Sequence, residues 1–428
     1  MNFSDAVAAL DARIPTRMVP DLDRMRAVSD LLNQPQRNYP SIHITGTNGK
    51  TTTAGVAAEL LKAAGLRVGT YTSPHLHNVR ERIAYDGAPI SEEEFAETLA
   101  YLQPFLEQVD ALGERVTYFE TLTILAQAWF AERAVDVAVM EVGMGGEWDA
   151  TNLVNGRVAI ITEVTVDHPE LGKTPVEVAR EKAGIIKEGA ICVTAERDGD
   201  VLAVIEDRCR AVGAEMRVVG KDFALERREL AVGGQSLDVR LGDQAHADVF
   251  APVFGERMAT DVLLALAAVT AFLGDRRLED EIVRGAVAAV RSPGRLEVLR
   301  RHPLVIADGA HNPAAARELA SAVRESFASD RRFVVIGMLA DKDIAGVVGE
   351  IVPIADEVVV TSPRSPRAAP AERVAEEVRH AGIDPETVAT VEGAVALALE
   401  LAGDDDLVLV TGSFTTVAEA RAVVLGLA

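Results

Sequence analysis

The chain has 428 residues, too many for one compact core, so two or three domains are expected. Hydrophobic residues make up 48 % and charged residues 25 %, which excludes a chain that is mainly disordered, collagenous or coiled coil. Acidic side chains outnumber basic ones 66 to 43, a net charge of −23 that disfavours nucleic acid and anionic membranes as partners, so an anionic ligand needs a locally positive site. The two cysteines, Cys192 and Cys209, do not amount to a disulfide framework and point to a reducing compartment. The first residues, MNFSDAVAALDAR, lack the apolar stretch of a signal peptide, and no run of 18 uncharged apolar residues offers a membrane span. A cytoplasmic location is expected.

Strands and helices alternate along most of the chain. Ser41–Thr45 reads as a short strand running into Gly46-Thr47-Asn48-Gly49-Lys50-Thr51-Thr52, followed by a small-residue helix to about Ala64. Val135–Met140 and Val158–Thr162 are β-branched apolar runs, which is how buried parallel strands read. From about 223 to 253 the texture shifts to short strands around Gly233-Gly234, a small antiparallel subdomain. Asp261–Leu273 reads as a long Ala/Leu-rich helix. A second α/β unit begins near Ser292, with strands at Leu304–Ala307, Phe333–Ile336, Glu357–Thr361 and Leu407–Thr411, and a Pro/Arg-rich loop at Thr361–Pro370. The expected division is 1–291 and 292–428.

The strongest chemical signal is GTNGKTT after a strand. Amide groups at a Gly-rich turn and a helix N-terminus cradle phosphate oxygens; Lys50 neutralises them and the Thr51 hydroxyl faces Mg²⁺. The pattern is partial, because Ile44 stands where a full phosphate-loop motif has its first Gly. Glu141 ends an apolar strand before Val142-Gly143-Met144-Gly145-Gly146, where a carboxylate can hold Mg²⁺ opposite the phosphate loop, or can simply be a solvated strand end. His168 after Asp167 is a further candidate, although a lone histidine is more often a packed or surface residue. Lys182 reads by default as a solvent-facing helix lysine. Asp308 and His311 lie in a strand-to-helix loop in which Asn312 can cap the helix before Pro313.

Taken together, PSIHITGTNGKTT (40–52), TSPH (72–75), ERI (81–83), TYFE (117–120), EVGMGGEWDATN (141–152), Asp167-His168, EKAGII (181–186), SPGRLE (292–297), DGAHNP (308–313) and DKD (341–343) resemble the folylpolyglutamate synthase/dihydrofolate synthase family of the Mur ligase superfamily. The resemblance implies a Mur-ligase-like α/β fold: a P-loop parallel-sheet ATPase domain with a small β subdomain, and a smaller Rossmann-like C-terminal domain that closes over ATP. It implies an ATP-dependent ligase that activates the carboxylate of dihydropteroate or a folate as an acyl phosphate and joins it to L-glutamate, acting as a monomer. ATP contacts then fall on Thr47, Asn48, Gly49, Lys50, Thr51, Asp261, Arg295 and Asp308, and Mg²⁺ ligands on Thr51, Ser73, Glu141, His168 and Lys182, the lysine being carbamylated. Lys50, Glu141, His168 and Lys182 carry catalysis, and Thr117, Tyr118, Phe119, Glu120, Trp148, Asp149, Ala150 and His311 face the substrate.

The chain departs from that pattern in four ways. Glu147 replaces the usual Arg, Arg257 and Met258 stand in a segment that usually reads G-x-H-Q-x-x-N, Asp261 replaces its Asn, and the loop after His168 is one residue shorter. These departures motivate a competing reading, a paralogue ligating an amino acid to a non-pterin acid. A nucleotide-binding regulator is the non-enzymatic alternative.

Overall fold

The computed structural model describes residues 1–15 and 20–427. It divides into two compact units, one comprising 1–252 and 259–290, the other 253–258 and 291–428.

The first unit is built on an eight-stranded sheet in the order β4-β3-β2-β5-β1-β6-β7-β8. Its strands are β1 (Ser41–Thr45), β2 (Val68–Tyr71), β3 (Ile83–Tyr85), β4 (Ala88–Pro89), β5 (Val137–Glu141), β6 (Gly156–Ile161), β7 (Ile191–Thr194) and β8 (Glu215–Val218). The centre, β2-β5-β1-β6-β7-β8, is parallel, whereas β3 and β4 form an antiparallel edge. All five residues of β1 and of β5 are buried, because both faces of the central strands are covered. One core, containing Tyr71, Phe95, Leu122 and Phe130, covers one part of the sheet; a second, containing Ile161, Ile185, Cys192 and Ile205, covers another. The strand order reverses at β1: the chain moves from β1 to β2 on one side, then returns past β5 to β6 on the other. Crevices outside the carboxyl ends of strands at such a reversal are where open α/β sheets bind ligands.

Two strands of this sheet, β5 and β6, differ in their bounds from the sequence expectation. β5 begins two residues later and includes Glu141, because Asp136 is engaged by the guanidinium and amide of Arg67 before parallel pairing starts. β6 begins earlier, at Gly156, where it pairs with Ser41. The helix read at Asp261–Leu273 spans Glu256–Phe272. A three-stranded antiparallel sheet of β9 (Phe223–Ala231), β10 (Gly234–Leu241) and β11 (Gln244–Ala251) completes this unit.

The second unit has a six-stranded sheet in the order β12-β13-β17-β14-β15-β16. Its strands are β12 (Glu297–Arg301), β13 (Leu304–Ala307), β14 (Arg332–Ile336), β15 (Glu357–Val360), β16 (Glu386–Thr387) and β17 (Leu407–Thr411). All are parallel except β12, an antiparallel edge that the sequence reading did not mark. Its burial pattern is weak, and three of its five residues, EVLRR, are charged. Among the described residues no helix is long and apolar enough to cross a membrane.

Candidate active site

The turn after β1 is shaped by two glycines. Gly46 has φ +147° and Gly49 φ +87°; a Cβ on either would strike Thr162 Oγ1 or Asp261 Oδ1. The loop is pinned to the segment after β6. Thr47 N–H donates to Glu163 O (2.7 Å), Thr47 Oγ1 to Thr165 O (2.9 Å) and Thr162 Oγ1 to Asn48 O (2.6 Å). Gly49 then caps the helix Lys50–Ala63, so the first amides of that helix face the loop. Lys50 Nζ folds back onto Gly46 O (3.0 Å) and Thr47 O (3.1 Å).

Glu141, at the buried end of β5, gathers the next elements. Its two carboxylate oxygens accept Thr51 Oγ1–H at 2.9 and 3.0 Å, and one accepts the Ser73 amide at 3.1 Å. Thr51, Ser73 and Glu141 thus converge from three segments. Lys182 corrects its default reading: it is 4 % exposed, not solvent-facing, and its Nζ donates to Gly46 O at 2.7 Å. Burial first and the charge of Lys50 second hold its pKa well below the ordinary lysine range, against the pull of Asp167, Asp149 and Glu181. His168 sits 3.4 Å from Asp167 and, with Gly46, Lys50, Gly145 and Lys182, lines one small cavity. Asp261, the departure from the family pattern, is buried with its carboxylate against Gly49.

The residues expected to face substrate fall into two groups. Tyr118 and Phe119 present rings: Arg82 lies 5.8 Å over the first, and the second packs on Gly143 and on Tyr71. Thr117 and Glu120 form the capping box of the helix Tyr118–Glu132, and Glu120 also takes Arg24 at 2.9–3.1 Å. Asp149 is buried and accepts from Met144 N, Thr151 N and Thr151 Oγ1, with its pKa raised by burial. Trp148 N–H donates to Glu181 Oε1 at 3.2 Å, and Ala150 opens a buried 3₁₀ turn. The carboxylates of Glu120 and Asp149 therefore organise the loops that carry the aromatic rings. Glu147 points into solvent.

In the second unit, Asp308 is buried, accepts Leu296 N–H (2.9 Å) and Ala310 N–H (2.8 Å), and has its pKa raised by burial. Arg295 stacks 4.7 Å over Phe414, and His311 Nδ1 meets Gly309 O at 2.8 Å. Asn312 caps the helix Pro313–Ser326 as expected. Arg257 forms an ion pair with Glu318 at 3.3 Å.

The sequence reading missed the Thr162–Thr165 segment that fixes the phosphate loop. The only signal was its run of Thr and Glu directly after an apolar strand.

This arrangement, a phosphate loop whose Thr meets a strand-end carboxylate across a parallel sheet, defines a nucleotide-triphosphate-dependent enzyme. Residues 44–269 match the Mur ligase middle domain and residues 294–414 the Mur ligase glutamate ligase domain. The dihydrofolate synthase/folylpolyglutamate synthase of Mycobacterium tuberculosis is 40 % identical, over 96 % of this chain and 92 % of that protein. The crystal structure of M. tuberculosis folylpolyglutamate synthase complexed with ADP and AMPPCP superposes with a TM-score of 0.94 at 38 % identity, covering 99 % of this chain and 98 % of that one. A bifunctional folylpolyglutamate synthase/dihydrofolate synthase with Mn, AMPPNP and L-glutamate bound gives a TM-score of 0.86 at 31 % identity, covering 99 % and 98 %. The chain belongs to the dihydrofolate synthase/folylpolyglutamate synthase family of Mur ligases.

Proposed function

We propose that this protein joins L-glutamate to the carboxylate of dihydropteroate or a reduced folate at the expense of ATP. The observation that carries the reading is the convergence of Lys50, Thr51, Ser73, Glu141 and Lys182 around one phosphate loop. The substrate carboxylate attacks the γ-phosphorus of ATP, the bond to the β-phosphate oxygen breaks, and ADP leaves an acyl phosphate. The glutamate amine then attacks the acyl carbon, phosphate departs, and the amine proton passes to solvent. Every species is an anion, so positive charge at the transferring phosphoryl group is the main requirement.

Lys50 supplies part of it by leaving Gly46 O and Thr47 O for phosphate oxygens. The hard oxygens of Thr51 and Glu141 fit a divalent cation, with Ser73 and His168 completing the set and phosphates and water filling the rest. Such an ion offsets charge on the transferring group. Lys182 suits carbamylation: buried and held well below its ordinary pKa, its neutral amine can add CO₂ with loss of a proton and so become an anionic oxygen ligand. Thr47, Asn48, Gly49 and Asp261 line the nucleotide side. Within the C-terminal ligase domain, Arg295, Asp308 and His311 are the candidate ligand contacts. Tyr118, Phe119 and Trp148 provide ring surfaces for the pterin. We place the protein in the reducing cytoplasm, consistent with two buried free thiols.

The test is phosphate release from MgATP with L-glutamate, adding dihydropteroate, tetrahydrofolate or neither. Stimulation by a pterin acceptor, with a product heavier by one glutamyl unit, is expected. ATP binding without stimulation by either acceptor would overturn the substrate assignment and point to a non-pterin acid.

A further inference from the structure

Strand β1 is buried along its whole length, yet one of its faces is polar. Alternation puts Ser41, His43 and Thr45 on that face, and buried polar groups are costly unless bonded. Two of the three reach the same neighbour. Thr45 Oγ1 donates to Gly145 O at 2.6 Å, and His43 Nε2 lies 2.8 Å from Thr151 Oγ1. The segment they hold, 142–155, leaves the sheet where Val142 N–H bonds Ile44 O and rejoins it where Gly156 pairs with Ser41. It begins and ends on β1, and it carries Trp148, Asp149 and Ala150 between.

The protons on this path can be assigned. Both oxygens of Asp149 accept amides, from Met144 at 3.0 Å and Thr151 at 2.9 Å, and Oδ1 also accepts Thr151 Oγ1–H at 2.5 Å. Thr151 has one hydroxyl proton and spends it on Asp149. The bond to His43 is then donated by Nε2–H, which fixes a neutral ring with its proton on Nε2. Nδ1 is buried and has no hydrogen-bond partner among the described residues. Burial first and Lys187 second hold the His43 pKa well below the usual histidine range, in keeping with that neutral ring. Downstream, β1 runs into Gly46, whose carbonyl takes Lys50 Nζ and Lys182 Nζ. Four consecutive residues therefore hold the loop 142–155 through His43 and Thr45 and two lysines of the phosphate site through Gly46.

We propose that His43 and Thr45 are positioning residues that set the acceptor-side loop 142–155 against the phosphate loop from one face of β1. The proposal rests on the ligase reading above. Both residues are fully buried, so neither touches a substrate. His43 acts through the Thr151 hydroxyl on Asp149, and so on the turn that presents Trp148. Thr45 acts on the backbone of the same loop at Gly145. Losing either bond leaves the phosphate cradle in place and frees the acceptor loop, so the effect falls on the acceptor and spares the nucleotide.

The experiment measures the calorimetric Kd of a non-hydrolysable ATP analogue and then, with it bound, of pteroate. His43→Leu and Thr45→Val each remove one donor at near-constant volume. Each should weaken pteroate binding by about tenfold, with the analogue Kd within about twofold of the parent. Analogue binding also shows at once that a variant is folded. His43→Gln keeps a donor near the Nε2 position and should recover part of the loss. Ser41→Ala is the control: Ser41 is as buried, but its Oγ has no hydrogen-bond partner, so both Kd values should hold within about twofold. In a Thr151→Val background, His43→Leu should add less than about twofold, because its path runs through that hydroxyl. Nitrogen NMR of the parent, with the His43 signals assigned by their loss in His43→Gln, should place the ring proton on Nε2. Parallel losses of pteroate and nucleotide binding, unchanged pteroate binding, or a proton on Nδ1 overturns the proposal. A parent protein that binds neither pteroate nor folate overturns the ligase reading instead, and no His43 variant can produce that result.

Discussion

Gly49→Ala tests how tightly the phosphate loop is built. Gly49 has φ +87°, and a Cβ there would lie 2.2 Å from Oδ1 and 2.8 Å from Cγ of buried Asp261. Gly65 is a natural control, with φ +89° and nothing within 4 Å of its would-be Cβ. Both substitutions incur the left-handed backbone penalty, about 1–2 kcal/mol. Only Gly49→Ala adds overpacking, about 1–3 kcal/mol. Gly65→Ala should therefore destabilise by about 1–2 kcal/mol and Gly49→Ala by about 2–5 kcal/mol, read from urea midpoints at unchanged m. Repeating Gly49→Ala in an Asp261→Ala background should bring its cost down to the Gly65 value, a coupling of about 1–3 kcal/mol. Calorimetry with a non-hydrolysable ATP analogue should show weakened binding for Gly49→Ala and none of that effect for Gly65→Ala. Equal costs for the two glycines, or a coupling below about 0.5 kcal/mol, would refute the contact as the cause.

Two further outcomes follow from buried titratable groups. Lys182 has a folded pKa well below its unfolded one, so the unfolded chain binds the extra proton at neutral pH and the native state is penalised there, less so as pH approaches the ordinary lysine value. In CO₂-free buffer, where the amine is not carbamylated, Lys182→Met should raise urea stability at pH 7, by more than at pH 9, and in bicarbonate it should cut phosphate release by about a hundredfold or more; a destabilised variant, or one with normal turnover, contradicts this. His75, at about 4 in the native state, should withdraw about 2–3 kcal/mol of stability as pH falls from 6.5 to 4, because only the unfolded chain takes up the proton over that window. His75→Asn keeps an acceptor for Arg82 and should flatten that part of the stability–pH curve, and an unchanged slope would assign it to other groups.

Much of this was legible in the sequence. Strand β1 carries β-branched Ile42, Ile44 and Thr45 and ends at the glycines that turn the chain, so Ser41–Thr45 and the loop could be read residue by residue. Asn312 before Pro313 announced its cap for the same local reason. Long-range facts were not legible. Nothing in EKAGII says that Lys182 turns inward, because a helix lysine has the same local signature whether its amine meets water or Gly46 O. Thr117 and Glu120 carry a capping-box spacing that was readable, but the capture of Glu120 by Arg24 spans 96 residues. Strand β12 escaped notice because an edge strand needs no continuous apolar run.

The position of β1 has a consequence for how the protein fails. Four strands lie on one side of it and three on the other. In a native-state amide exchange experiment, β4 and β8 should trade protons through local opening, whereas Ile42 and Ile44 should wait for the whole sheet to come apart. The phosphate loop hangs from that last-opening strand. Damage at the sheet edges should therefore reduce the number of competent molecules without slackening nucleotide binding in those that remain.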